Sequence, residues 1–402
     1  MKIDKKLNFL AGIGVGILLG CIIVGATVST LLGKTIFPSK QEAHYSTLKV
    51  KKISYFLKRF HVNLVNEKKL REKIFSGYIY GIGDSDTIYL DKNAYKSYQL
   101  NQEGKNIGVG IEIVWGISEQ YLWVTEVMKN SPADKNGVKV GDKIIKIDGT
   151  RASASNQLIM SQKFKAALGD KHIFTIEDKD TKQIKEIELK AEVLNIESLT
   201  SDILDNNVGY IKINAILEQT AKDLEKQLAE FETKNINKVI LDIRGTNSSN
   251  IDWTKEVCDV FLDEGICFSV MDHEGKLTEY HTQNGKYEGE IIVLIDAFTS
   301  GTLEGFAAAI QDHNRGKIIG TTTQAQATIQ TFFDLKDGTG LLISTGKLYT
   351  PKGIENKGVQ ADVVVYTSYD EIIGIIEKGI ISIEQDHLIQ AGIEYLTQKA
   401  GK

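Results

Sequence analysis

Cysteine, proline and tryptophan occur only three times each in 402 residues, and the first two scarcities narrow what this chain can be. Cys21, Cys258 and Cys267 follow no CxxC spacing and have no histidine-rich partner segment, which excludes a disulfide framework and a zinc site and leaves free buried thiols as the expectation. With three prolines, no internal repeat and no low-complexity tract, there is no Pro-rich linker to mark a boundary. Domain limits must be read from changes in hydrophobic pattern. A strong charge of one sign is also missing: 48 Lys and Arg stand against 53 Asp and Glu, for a net charge of -5. With no helix-turn-helix, zinc-finger or aromatic-basic signature either, nucleic acid is not expected as a partner. Nothing calls for a cofactor or a metal.

What is present is ordinary globular material, 42% hydrophobic and 25% charged, long enough for two or three domains. One segment departs from it. "LNFLAGIGVGILLGCIIVGATVSTLLG", Leu7 to Gly33, carries no charged residue and at about 1.5 Å per residue could cross the roughly 30 Å hydrocarbon core of a bilayer. Lys2, Lys5 and Lys6 precede it, so the positive-inside bias keeps the N-terminus cytoplasmic and sends everything beyond Lys34 outside. Val24 and Ala26 could frame a signal-peptide cleavage site, but the run exceeds the apolar length of such peptides. Cys21 in "LLGC" is followed by apolar rather than polar residues, unlike a lipidated cysteine. The expectation is a single-pass anchor in the cell membrane over residues 1-34, with the main body extracytoplasmic.

Residues 35-97 read as a helical collar, with apolar residues at three-to-four spacing in "LKVKKISYFLKRFHVNLV" and glycines ending "NEKKLREKIFSGYIYGIG". A strand-rich unit follows over 98-193. Its stretch "SPADKNGVKVGDKIIKIDG", Ser131 to Gly149, combines a short helix ending at Gly137, a turn at Gly141-Asp142 and an alternating strand ending in Asp148-Gly149. This resembles a PDZ domain, a partly open β-barrel with helices. The resemblance implies a carboxylate-binding loop at Gly108, Val109 and Gly110, and a peptide-pairing strand at Ile111, Glu112 and Ile113. The helix Ala154 to Leu168 would form the other groove wall. The alternative is a PDZ that packs internally and binds no peptide.

From residue 194 to 368 strands and helices alternate: "VGYIKIN", "TAKDLEKQLAEFETK", "INKVILDIRG", "WTKEVCDVFLD", "ICFSVMD", "EIIVLID" and a helix from about Thr302. This is α/β layering on one sheet. Residues 369-402 end in the amphipathic helix "QDHLIQAGIEYLTQK". The order of units, with "VGYIKIN", "LDIRG", "IQDHNRGKIIG" and "LYTPKGIENKGVQADV", is similar to the carboxyl-terminal processing peptidases, PDZ-containing serine peptidases of mixed α/β fold.

The resemblance implies a serine nucleophile where the strand "LID" turns into the helix, and there this sequence has Gly301. It implies a lysine base 25 residues on, where Gln326 stands. Gln330 and Asp312 match supporting residues of the family. The paired glycines that follow a proline in the family's oxyanion loop are replaced by Ser248 and Ser249, after Asn247. Loss of a nucleophile or base alone typically costs about a million-fold in turnover. Ser300 and Thr302 are the fallback nucleophiles, one position rotating a side chain by roughly 100° at a helix start. No Lys, Arg or His lies between Thr321 and Leu335, which leaves His273, His281 and His313 as hypothetical bases. Three functions compete. The first is a membrane-anchored pseudopeptidase that binds protein C-termini or unstructured segments, alone or in an oligomer with an active relative. The second is an active serine endopeptidase with relocated residues, and the third a purely structural subunit.

Overall fold

The computed structural model describes residues 40-402 apart from 116-119, 165-166, 284, 286, 367-384 and 399-402. The apolar run Leu7 to Gly33, and with it the expected anchor, lies outside the described residues. Among the described residues no helix is long and apolar enough to cross a membrane.

Two compact units divide at Gly77 and Tyr78. The first holds the helix Lys40–Phe60 and most of the helix Glu67–Tyr80, with an ion pair from Lys58 to Glu67 at 2.5 Å. Tyr45, Leu48, Phe56 and Phe60 stay exposed there. Residues 35-97 are not uniformly helical. Beyond Tyr80 the chain turns through two glycines and enters a strand, Ile88–Leu90, before the helix Lys92–Gln102. Thr87-Ile88-Tyr89-Leu90 is a short β-favouring run between acidic residues, and it pairs antiparallel with Gly340–Tyr349 near the other end of the chain.

The second unit is built on a six-stranded sheet in the order Leu199–Leu204, Val208–Ile213, Lys238–Asp242, Glu290–Ile295, Lys317–Gly320 and Val363–Val364, parallel from the second strand onward. "KVILD" and "EIIVLI" are continuous apolar runs because both faces of the sheet are covered. Val239, Leu241, Val293 and Ile295 pack on one face against Leu228, Phe231, Phe261 and Phe306 from three helices. The alternate residues Ile240, Ile292 and Leu294 meet Leu388, Ile389, Ile393 and Leu396 of the helix His387–Gln398 on the other face.

The start of that helix is fixed by a buried charge network. The Asp242 carboxylate accepts from Tyr210 Oη at 2.7 Å and from Arg244 Nη2 at 2.6 Å. Arg244 in turn reaches Asp386 at 2.8 Å, and Asp386 caps the helix by accepting from the N–H groups of Leu388 and Ile389. Burial alone would push the Asp242 carboxyl up. The charges of Arg244 and Lys212, with hydrogen bonds from Arg244 and Tyr210, more than offset this and hold it at about 2.

Two cysteines depart from the sequence expectation. Cys258 and Cys267 are not free thiols but a disulfide, with Cα atoms 6.6 Å apart and both side chains fully buried. Their nine-residue separation looks irregular in sequence. In the fold it joins the helix Ile251–Phe261 to the strand Gly265–Asp272 that follows it.

The strand-rich unit forms a sheet in the order Ile111–Trp115, Leu122–Val127, Lys143–Ile147, Lys171–Glu177, Ile184–Lys190. Asp148 and Gly149, with φ of 48° and 72°, make the tight hairpin to Thr150–Arg151 that an Asp-Gly pair favours.

Candidate functional site

Two adjacent parallel strands, Lys238–Asp242 and Glu290–Ile295, end side by side, and the loops that leave them form the site, as open α/β sheets favour. The loop after the first runs through Asn247–Ser248, and the loop after the second reaches Ser300–Gly301. The two segments pair as a short parallel ladder, Asn247 with Ser300 and Ser248 with Gly301. The helix Thr302–Asp312 starts immediately after it, with Gly301 as its N-cap at φ 69° and ψ -138°. Only glycine fits there. Its φ is positive, and a Cβ would overlap the carbonyl oxygen of Ser248.

Gln326 closes the site from the other side. Its carbonyl accepts the Gly301 N–H at 3.1 Å, so a donor at the helix N-terminus that could face an oxyanion is already taken. Its own N–H donates to Glu304 Oε1 at 2.9 Å, while Thr323 Oγ1 donates to Glu304 Oε2 at 2.9 Å. Glu304 is fully buried, and burial raises its pKa against the pull of these hydrogen bonds. The carboxylate thus ties the turn at 323-326 to the first turn of the helix.

The Gln326 side chain points to residues that the sequence reading passed over. Its Nε2 donates to Asp86 Oδ1 at 2.9 Å and to Ser85 Oγ at 3.2 Å. Thr328 Oγ1 donates to Asp86 Oδ2 at 2.6 Å. Asp86 lies just before the strand Ile88–Leu90, which the β-ladder with Gly340–Tyr349 brings to the site. The cluster Asp84-Ser85-Asp86-Thr87 ahead of a β-favouring run was the available signal.

A cavity of about 260 Å³ brings together Asp86, Ser248, Ser249, Ser300, Gly301, Gln326 and Gln330. Gln330 Nε2 makes only a long contact with Thr328 Oγ1, at 3.5 Å. Asp312 is elsewhere, at the far end of its helix, paired with Lys352 at 3.0 Å. Thr302 is fully buried and donates to the carbonyl oxygen of Ser248 at 3.2 Å, with Thr254 Oγ1 2.6 Å away. It faces away from the cavity lining, whereas Ser300, 6% exposed, lines it. None of the three histidines lines the cavity. His313 Nε2 sits 2.8 Å from the Ile266 carbonyl oxygen, His281 3.1 Å from Glu279, and His273 is exposed.

In the strand-rich unit, Gly108 ends a strand paired with Glu192–Asn195. The carbonyls of Val109 and Gly110 accept from the N–H groups of Ala133 and Met128, each at 3.0 Å. Gly110 has φ 80°, and a Cβ there would collide with the Ser131 side chain. These bonds turn the loop's carbonyls toward the domain interior. Ile111–Trp115 pairs with Leu122–Val127 and stands last in the sheet order, leaving its other edge without a strand partner among the described residues. Ile111 and Ile113 pack on the same core as Met160 and Phe164 of the helix Gln157–Phe164. Glu112 lies opposite Glu126 across the ladder. Burial, together with Glu112 and Glu197, raises the Glu126 pKa.

Residues 207–365 match the model of peptidase family S41, and residues 97–167 match the PDZ domain. The chain is 25% identical over 387 residues to a CtpA-like serine protease of Staphylococcus haemolyticus, covering 93% of this chain and 76% of that protein. It is 24% identical over 372 residues to the carboxy-terminal processing protease CtpA of Bacillus subtilis, covering 90% and 78%. Among solved structures, an S41 protease of Bacteroides fragilis matches with a TM-score of 0.58 at 13% identity, over 84% of this chain and 93% of that one. A photosystem II D1 C-terminal processing protease matches with a TM-score of 0.50 at 19% identity, over 82% and 90%. At these identities the solved structures support a shared fold alone. This chain carries a peptidase family S41 core behind a PDZ domain, with carboxy-terminal processing proteases among its relatives.

Proposed function

We propose that this protein is a non-catalytic member of its family, tethered to the cell membrane through residues 7-33, whose body outside the cytoplasm captures protein C-termini or unstructured segments. The observation that carries the reading is the closed turn at Gly301. The nucleophile position has no side chain and no room for one, its N–H is bonded to the Gln326 carbonyl, and the base position is an amide held by Asp86. An amide cannot take a proton from a hydroxyl near neutral pH.

Capture falls to the PDZ domain. Its loop at Gly108, Val109 and Gly110 would hold the peptide carboxylate, and the open edge of Ile111–Trp115 would pair with the peptide backbone. Binding of a short peptide is expected on the order of micromolar, because few residues dock and ordering them costs free energy. Calorimetric titration with a peptide ending in an apolar residue tests this, comparing free-acid and amidated forms and checking by mass that the peptide stays whole. Tighter binding of the uncleaved free acid supports the reading. Equal affinity of the two forms contradicts the carboxylate assignment.

An active hydrolase has one observation in its favour: the Ser300 hydroxyl lines the cavity. Among the described residues no lysine or histidine lines the cavity beside it to serve as base. Mixed assembly with an active relative would give the captured segment a route to cleavage.

A further inference from the structure

The 260 Å³ cavity at the closed turn is lined by hydroxyls, amides and one carboxylate, Asp86, and no lysine, arginine or histidine among the described residues lines it. Asp86 accepts hydrogen bonds only from neutral donors there, the amide of Gln326 and the hydroxyls of Thr328 and Ser85. Its negative charge is therefore solvated but not neutralised. A second observation is independent of that charge. Ser300 is 6% exposed and lines the same cavity, and its hydroxyl has no hydrogen-bond partner among the described residues. That hydroxyl opens on the cavity and is free to accept a hydrogen bond from whatever enters it. Gln326 spends its side-chain NH2 group on Asp86 and Ser85, which leaves its side-chain amide oxygen as an acceptor, and Gln330 offers another. The remaining wall is apolar: Ile88 and Leu342 lie side by side as cross-strand partners.

We propose that this cavity binds a primary alkylammonium, the side chain of a lysine in a captured polypeptide. An ammonium carries three donors and one charge on an apolar four-carbon stem. Asp86 supplies the countercharge, and Ser300, Gln326 and Gln330 the further acceptors, while the stem runs along Ile88 and Leu342. An arginine fits less well, because Asp86 already has both oxygens engaged and cannot offer a free bidentate edge. The source of the ammonium rests on the capture reading above; the chemistry of the cavity does not.

The test is calorimetric titration of the full-length protein with N-acetyl-lysine N-methylamide, with the same compound acetylated on Nε, and with a lysine-free peptide bearing a free amino terminus. The lysine probe is expected to bind and the Nε-acetylated one not to. Asp86→Asn keeps the shape and an acceptor, and should weaken the lysine probe by about tenfold or more, the usual scale for losing a charged hydrogen-bond partner. Gln326→Lys should abolish binding by placing the chain's own ammonium on Asp86. Equal binding of the two lysine probes, or no effect of Asp86→Asn, would overturn the proposal. Binding of the amino-terminal peptide but not the lysine probe would overturn the assignment to a side chain. Capture of a lysine-containing polypeptide, unchanged by Asp86→Asn, would leave the wider reading standing while removing this one.

Discussion

The carbonyl oxygen of Ser248 occupies the space that a side chain on Gly301 would need. The two residues are partners in a parallel ladder, so the loop at Asn247–Ser248 and the turn at Gly301 are zipped together. Restoring a serine is then not a matter of adding a hydroxyl. Gly301→Ser is expected to destabilise the protein by about 2 kcal/mol or more, from a Cβ overlap and a positive φ combined. Thermal melts of the variant test this, and an unchanged midpoint would contradict the closed turn. Gly301→Ser with Gln326→Lys is expected to remain inactive, because Asp86 would also hold the new lysine as a charged ion pair instead of a neutral base.

Asp242 gives the protein an acid-sensitive joint. Its carboxyl is held at about 2 from an ordinary value of 3.8. A depressed acid contributes stability that is fully present above its unfolded pKa and lost as pH falls through the folded one. Stability should therefore drop between pH 3.8 and about 2. Asp148 in the PDZ domain is also held at about 2, by Lys163, Ile173 and His172 against burial, but a third of its side chain is exposed and its share is smaller. Asp242→Asn leaves Arg244 short of a buried partner and is expected to cost about 3 kcal/mol near neutral pH. Urea titrations from pH 2 to 7 should give the variant a flatter acid limb. A limb as steep as that of the natural protein would contradict the assignment.

The units of the fold were legible because each rests on a local pattern. Alternation in "VGYIKIN" and the continuous apolar run of "KVILD" marked strands, Gly137, Gly141 and Gly149 marked turns, and Gly301 and Gln326 were aligned by register against a family pattern. Asp86 was not found, since its role depends on a ladder between Ile88–Leu90 and Gly340–Tyr349, about 250 residues apart in sequence. Nothing near Asp86 encodes that pairing. Ser300 and Thr302 looked equivalent in sequence, and the fold separates them because Thr254, Ser248 and Asn250 surround the threonine hydroxyl. The Cys258 and Cys267 pair escaped notice for the same reason as Asp86: proximity across a helix-to-strand return has no spacing signature.

That disulfide closes a short loop across the helix that follows the Asn247–Ser248 segment. A loop of this size is worth about 2–3 kcal/mol in the chain-entropy account. Reduction, or Cys258→Ala with Cys267→Ala, should lower the melting midpoint by several degrees. Alkylation under native and denaturing conditions, followed by mass measurement, should find neither thiol free in the oxidised protein. Two reactive thiols on unfolding without reductant would contradict the pairing.

Gly110→Ala tests the loop of the PDZ domain. Its Cβ would meet the Ser131 side chain at a positive φ, so the loop must move and its carbonyls must leave Ala133 and Met128. Peptide affinity should fall by about tenfold or more while the six-stranded core keeps its circular dichroism. Unchanged affinity would place peptide capture elsewhere.

The central claim is that the turn at Gly301 performs no chemistry. Its most direct test is turnover of a fluorescence-quenched unstructured polypeptide by the full-length protein, over hours at micromolar protein, beside Ser300→Ala. The account expects no cleavage by the natural protein above the level of the variant. Cleavage by the natural protein that disappears in Ser300→Ala would contradict it and identify Ser300 as a working nucleophile.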